Sequence, residues 1–150
     1  MTTLLPPTPG AVPGDPARDG PDAPARLHVD HPLPGVHVIA PTGILDRAAG
    51  ARLLRLADLE MTAPAGGPVP RHLVLDLAGV TAFGPGGAAV LRHLRYAAHR
   101  RRVRCHLAGP PPRPRSGPPP SLDGVGRFTD LADAVAALAE LAAEPYPPPS

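Results

Sequence analysis

LVLDLAGVTAFGPGGAAVLRHLRYAAHR occupies residues 73–100. LVLDLAGV, with His72 before it, is apolar at nearly every position, the pattern of a central strand covered on both faces. FGPGG at 83–87 must interrupt it, because proline lacks a backbone N–H and glycine adopts angles other residues avoid. From Gly86 to Arg100 the period changes to that of a helix. Gly87, Val90, Leu91, Leu94, Ala97 and Ala98 form one stripe, and Arg92, Arg95, His99 and Arg102 face away from it. Open α/β sheets commonly place their chemistry at a strand–turn–helix junction. This turn carries no nucleophile, acid, base or hydroxyl.

The flanking segments extend the alternation. In RLHVDHPLPGVHVIAPTG, Leu27 and Val29 alternate with His28 and Asp30. Val36 and Val38 follow a Pro32–Pro34–Gly35 break that reads as a hairpin turn. GILDRAAGARLLRLADLEM follows as a helix capped by Asp46, whose carboxylate can accept a bond from a first-turn N–H. Ala49, Leu53, Leu56 and Ala57 share its face, and Gly50 marks a close approach of another backbone. VRCHLAG reads as a strand with Val103, Cys105 and Leu107 on one side and Arg104 and His106 on the other. VGRF gives a short last strand. A final helix begins near Thr129 or Asp130, with Leu131, Val135, Leu138 and Leu141 or Ala142 inward. The expected order is β-β-α-β-α-β-loop-β-α, a mixed, mostly parallel sheet of four or five strands with covering helices.

Composition sets the boundaries. The chain has 150 residues and 25 prolines, concentrated in residues 6–34, 110–120 and 145–149. Residues 1–26 are expected to be a disordered tail, 27–143 the domain with a Pro-rich loop at 110–121, and 144–150 a second tail. All 15 basic residues are arginine and the net charge is only +2, so arginine content reflects a general compositional bias. The single cysteine, Cys105, excludes an intramolecular disulfide framework and reads as a small core residue. The N-terminus lacks the pattern of a secretory signal, and no segment has the ~20 apolar residues of a membrane span, so a cytoplasmic location is expected.

Several segments resemble the STAS domain, the fold of bacterial anti-sigma-factor antagonists. GILD at 43–46 resembles that family's Gly-x-Leu-Asp, and LVLDLAGVTAF at 73–83 its central strand. GGAAVLRHLRYAAHRRRVRCHLAGPP at 86–111 resembles the helix and strand that follow, and FTDLADAVAAL at 128–138 the closing helix. The likeness spans most of 27–143. In that family the turn after the central strand usually reads Asp-Ser-Ser-Gly or Asp-Ser-Thr-Gly, and a partner kinase phosphorylates its second hydroxyl residue. The equivalent positions here are Gly84, Pro85, Gly86 and Gly87, so the phosphoacceptor position is Gly86. The family's usual short helix is replaced by PPPRPRSGPPP. Ser116, Ser121 and Ser150, the only serines, lie in Pro-rich stretches, and strand geometry is expected to keep Thr81 from the turn apex.

The resemblance implies a non-enzymatic interaction domain whose partner is a histidine-kinase-like anti-sigma factor. Binding is expected through Gly84, Pro85, Gly86 and Gly87 and the exposed helix positions Arg92, Arg95 and His99, with Asp46 and Asp76 structural near the turn. The alternatives are a degenerate module in another assembly, a small-ligand sensor, or a basic nucleic-acid binder. Six arginines lie between Arg92 and Arg104, with no acid from Leu77 to Leu122. Tyr96 is the only nearby aromatic for base stacking, which weighs against nucleic acid. The turn lacks GxGxxG and Walker features, so nucleotide binding is not expected. His28, His31 and His37 could suggest a metal, and His28 and His37 could share a face. No cysteine or acidic cluster completes a ligand set at typical spacing, so surface histidines and no metal or cofactor are expected.

Overall fold

The computed structural model describes residues 25–62, 72–112 and 125–143. The order is β1 (Arg26–Leu33), β2 (Val36–Leu45), α1 (Arg47–Met61), β3 (His72–Asp76), β4 (Val80–Phe83), α2 (Ala89–Arg100), β5 (Arg104–Ala108), β6 (Gly126–Phe128) and α3 (Leu131–Ala143). The sheet runs β1-β2-β3-β5-β6, with β4 paired to β2 off that path. Only β1–β2 is antiparallel, joined through the expected turn with Gly35 at φ 78°.

Strand alternation divides the core between two faces. Ile39, Leu73, Leu75, Cys105 and Leu107 point to α1 and α2, meeting Leu53, Ala57, Val90 and Leu94. Val36, Val38, Val74 and Ala108 face the other way, against Ala134 and Leu138 of α3. Leu53, Phe83 and Leu94 are fully buried, each contributing about 1.5–3 kcal/mol of apolar transfer energy. The first face holds most of this burial and rigidly positions α1 and α2.

Four details correct the sequence reading. The run 72–80 is two elements: β3 stops at Asp76, and β4 starts at Val80. β2 is long enough for both, pairing Val36–Ile39 with β3 and Gly43–Leu45 with β4. Apolarity hid this break, because Leu77 and Val80 are buried on either side of it. Helix α2 begins at Ala89 rather than Gly86, because Gly86 takes φ +75° and cannot continue a helical turn. At Gly50 the close neighbour is a side chain, not backbone: a Cβ there would lie 3.3 Å from Val90 Cβ of α2. Among the described side chains of α3 the buried ones are Ala134 and Leu138, Leu131 and Val135 are half-buried and Leu141 is 52% exposed, while the side chain of Ala142 lies outside the described residues. The small alanine, unremarkable in sequence, is what lets that helix approach the sheet.

Asp130 caps α3, its Oδ1 accepting from the Asp133 N–H at 2.8 Å. Pro110, Pro111 and Pro112 have no regular structure, and the rest of the Pro-rich loop, its serines, residues 1–24 and the C-terminal tail lie outside the described residues. Ala25 and Arg26, expected in the disordered tail, belong to the fold instead: Ala25 is buried and Arg26 opens β1, paired with Thr42. Among the described residues, no helix is long and apolar enough to cross a membrane.

Candidate functional site

The β4–α2 turn is stitched onto the end of β2 and the start of α1. The Gly84 N–H donates to Leu45 O at 2.9 Å, and the Arg47 N–H to Pro85 O at 3.1 Å. Within the turn, the Gly87 N–H donates to Gly84 O at 2.9 Å. Asp46 caps α1 as expected, its Oδ1 accepting from the Ala49 N–H at 2.8 Å. The GILD segment at 43–46 and the glycine turn at 84–87, distant in sequence, therefore form one site.

The three glycines serve different physical ends. Gly87 permits close approach: a Cβ there would sit 1.7 Å from Leu45 O. Gly84 is packed against α1's cap, with 2.8 Å left to Asp46 Cβ. A Cβ at Gly86 would meet only Arg47, its Nε at 3.0 Å and its Cβ at 3.2 Å, but the φ of +75° disfavours any side chain. Of the four turn positions, Pro85 and Gly86 are exposed and Gly84 and Gly87 buried. The surface offered by the turn is thus Pro85, Gly86 and the exposed Arg47, whose Nε would lie 3.0 Å from a Cβ at Gly86. Arg47 was missed in the sequence because only the fold brings α1's first residue to this turn.

Arg92, Arg95 and His99 are exposed on α2, as expected from the periodicity. They open onto a groove of about 650 Å³ shared with Tyr96, Arg104 and His106. Burial, then the charges of His72 and Arg104, push His106 down to about 4. Its Nε2 lies 3.0 Å from His72 Nδ1, and its Nδ1 is buried without a partner. Cys105, on the opposite strand face, is driven up to about 12 by burial and is therefore a neutral thiol.

Asp76 does not serve the glycine turn. Its Oδ1 accepts from the Ala78 N–H at 3.0 Å, bracing the β3–β4 turn that sequence reading did not separate. His28 and His37 lie on opposite sheet faces, since His28 pairs with Ala40 and alternation turns His37 the other way. His31 and His37 do converge, on Glu60 of α1, an acid sequence spacing could not connect to them.

The family model described as "STAS domain" matches residues 31–116, more than half of the chain. An anti-sigma factor antagonist from Mycobacterium paratuberculosis is similar in structure, with a TM-score of 0.55 and 19% identity. The alignment covers 80% of this chain and 97% of that one. The anti-sigma factor antagonist SpoIIAA in its unphosphorylated form aligns with a TM-score of 0.54 and 13% identity, over 79% of this chain and all 100% of that one. A structure described as Mglu shares 17% identity at a TM-score of 0.46. The alignment covers 55% of this chain and 19% of that larger one. No curated protein matches. The mixed sheet and its covering helices share their fold with those two antagonists, and the chain belongs to the STAS domain family.

Proposed function

We propose that the domain formed by residues 27–143 is a non-enzymatic, cytoplasmic interaction module that binds a histidine-kinase-like anti-sigma factor without a phosphorylation switch. The observation that carries this reading is the β4–α2 turn itself. It is held by β2 and α1, exposes Pro85 and Gly86 beside Arg47, and has no hydroxyl at any of its four positions. Docking uses this rigid corner together with Arg92, Arg95 and His99 on the exposed side of α2.

A phosphoryl group would add about −1.5 to −2 charges at the start of α2 and, in an ordinary antagonist, break the complex. Gly86 has no oxygen to accept it, so the complex is constitutive. The test is to mix the protein with the cognate anti-sigma kinase, with and without ATP, and to follow the complex by calorimetry. The expected result is equal affinity in both conditions, weakened about tenfold or more by Arg47→Glu. No binding, or binding abolished by ATP, overturns the proposal.

A further inference from the structure

We propose that His31, His37 and Glu60 form a binding site for a first-row divalent cation of the zinc class. The three residues come from three elements: His31 from the end of β1, His37 from the start of β2 and Glu60 from the last turn of α1. His31 Nε2 lies 2.8 Å and His37 Nδ1 2.6 Å from the same oxygen, Glu60 Oε2. Their candidate donor atoms all lie within 4.8 Å of one another. The two imidazole rings meet edge to face, with centroids 4.3 Å apart and planes at 68°.

The backbone sets this convergence. His37 is fixed by the parallel register that pairs it with Leu73. Val29 pairs with Ile39 and Asp30 with Val38, so alternation carries His31 onto the face that holds Ile39 and His37. The His31 N–H donates to Asp30 Oδ1 at 2.8 Å. The ligands are 23 and 29 residues apart from Glu60 in sequence, so folding has already brought them together.

The donor chemistry selects the ion. Two imidazole nitrogens and one carboxylate oxygen suit zinc and its transition-metal neighbours better than calcium or magnesium, which favour all-oxygen shells. A tetrahedral zinc with bonds near 2.0–2.1 Å places its ligand atoms about 3.3 Å apart. Glu60 and His37 are 18% and 22% exposed and His31 is 54% exposed, so three protein ligands leave the outer side open to a water or an external donor.

The test uses the untagged full chain, whose seven histidines are all its own. Titration with zinc alone, and with cobalt for its visible d–d absorption, should give one site per chain. At 100-fold excess over Kd, zinc should raise the melting temperature by about 10 °C. Glu60→Gln and His37→Ala should each lower affinity at least tenfold, while His28→Ala, on the opposite sheet face, leaves it unchanged. Should a variant unfold, the wild-type chain still decides: zinc must shift the ring resonances of His31 and His37 and leave His72 and His106 unmoved. Zinc binding that survives Glu60→Gln and His37→Ala, shifts at His72 and His106 instead, or no binding at 100 µM zinc would overturn the site.

Discussion

At the scale of single residues, Gly86 and Gly87 look interchangeable in sequence and are opposites in structure. Gly87 is required by space, because a methyl group would overlap Leu45 O at 1.7 Å and backbone cannot yield to it. Gly86 is required by angle, because φ +75° costs an ordinary L-residue roughly 1–2 kcal/mol. Gly87→Ala is therefore expected to lose more than about 3 kcal/mol or fail to fold, as for other severe overpacking. Gly86→Ser should lose only about 1–2 kcal/mol in urea denaturation. The serine would then stand over Arg47, which suits a phosphate, yet its backbone strain opposes a simple return of the acceptor. Equal losses for the two variants would contradict this division of roles. The need for a small residue was legible from FGPGG. Which glycine answers to sterics and which to torsion was not, because Leu45 and Arg47 reach the turn only through the fold.

Among the elements, the end of α2 shows another residue against its torsion. Arg102 has φ 59° and stands where helices usually place glycine. The Val103 N–H reaches back to Ala98 O at 2.9 Å and the Arg102 N–H to His99 O at 3.1 Å, the bonding of a Schellman cap. Arg102 is exposed, so removing its side chain sacrifices little packing. Arg102→Gly is expected to stabilise the domain by about 0.5–1 kcal/mol, read as a higher urea midpoint at unchanged slope. A lower midpoint would show that the side chain holds something the backbone geometry does not reveal. Periodicity found both amphipathic helices and the hairpin because their burial repeats are regular. It merged β3 and β4 because Leu77 and Val80 remain buried while the chain turns between them, held by Asp76. It also missed Ala134, because the sequence stripe of α3 runs through the large residues Leu131, Val135 and Leu138, and the sheet meets the helix one position before Val135.

For the whole molecule, acid stability gathers these local facts into one curve. His106 is neutral in the fold, with its pKa held at about 4 first by burial and then by His72 and Arg104. In the unfolded chain an imidazole takes up its proton near pH 6.5. Between about 6.5 and 4 the unfolded state therefore binds more protons, and linkage makes stability fall as pH falls through that window. The contribution is fully present above about 6.5. Glu60 acts with the same sign at lower pH, because its folded acid is depressed below 4.5 and its carboxylate stays paired until protonated. The domain should hold a constant urea midpoint from pH 8 to 7 and lose it progressively below about 6.5. His106→Gln should flatten the upper part of that decline and leave the part below pH 4.5 in place. Ring NMR of the folded wild type provides the direct check: His106 should titrate near pH 4, and a midpoint near 6.5 would remove its share of the acid sensitivity.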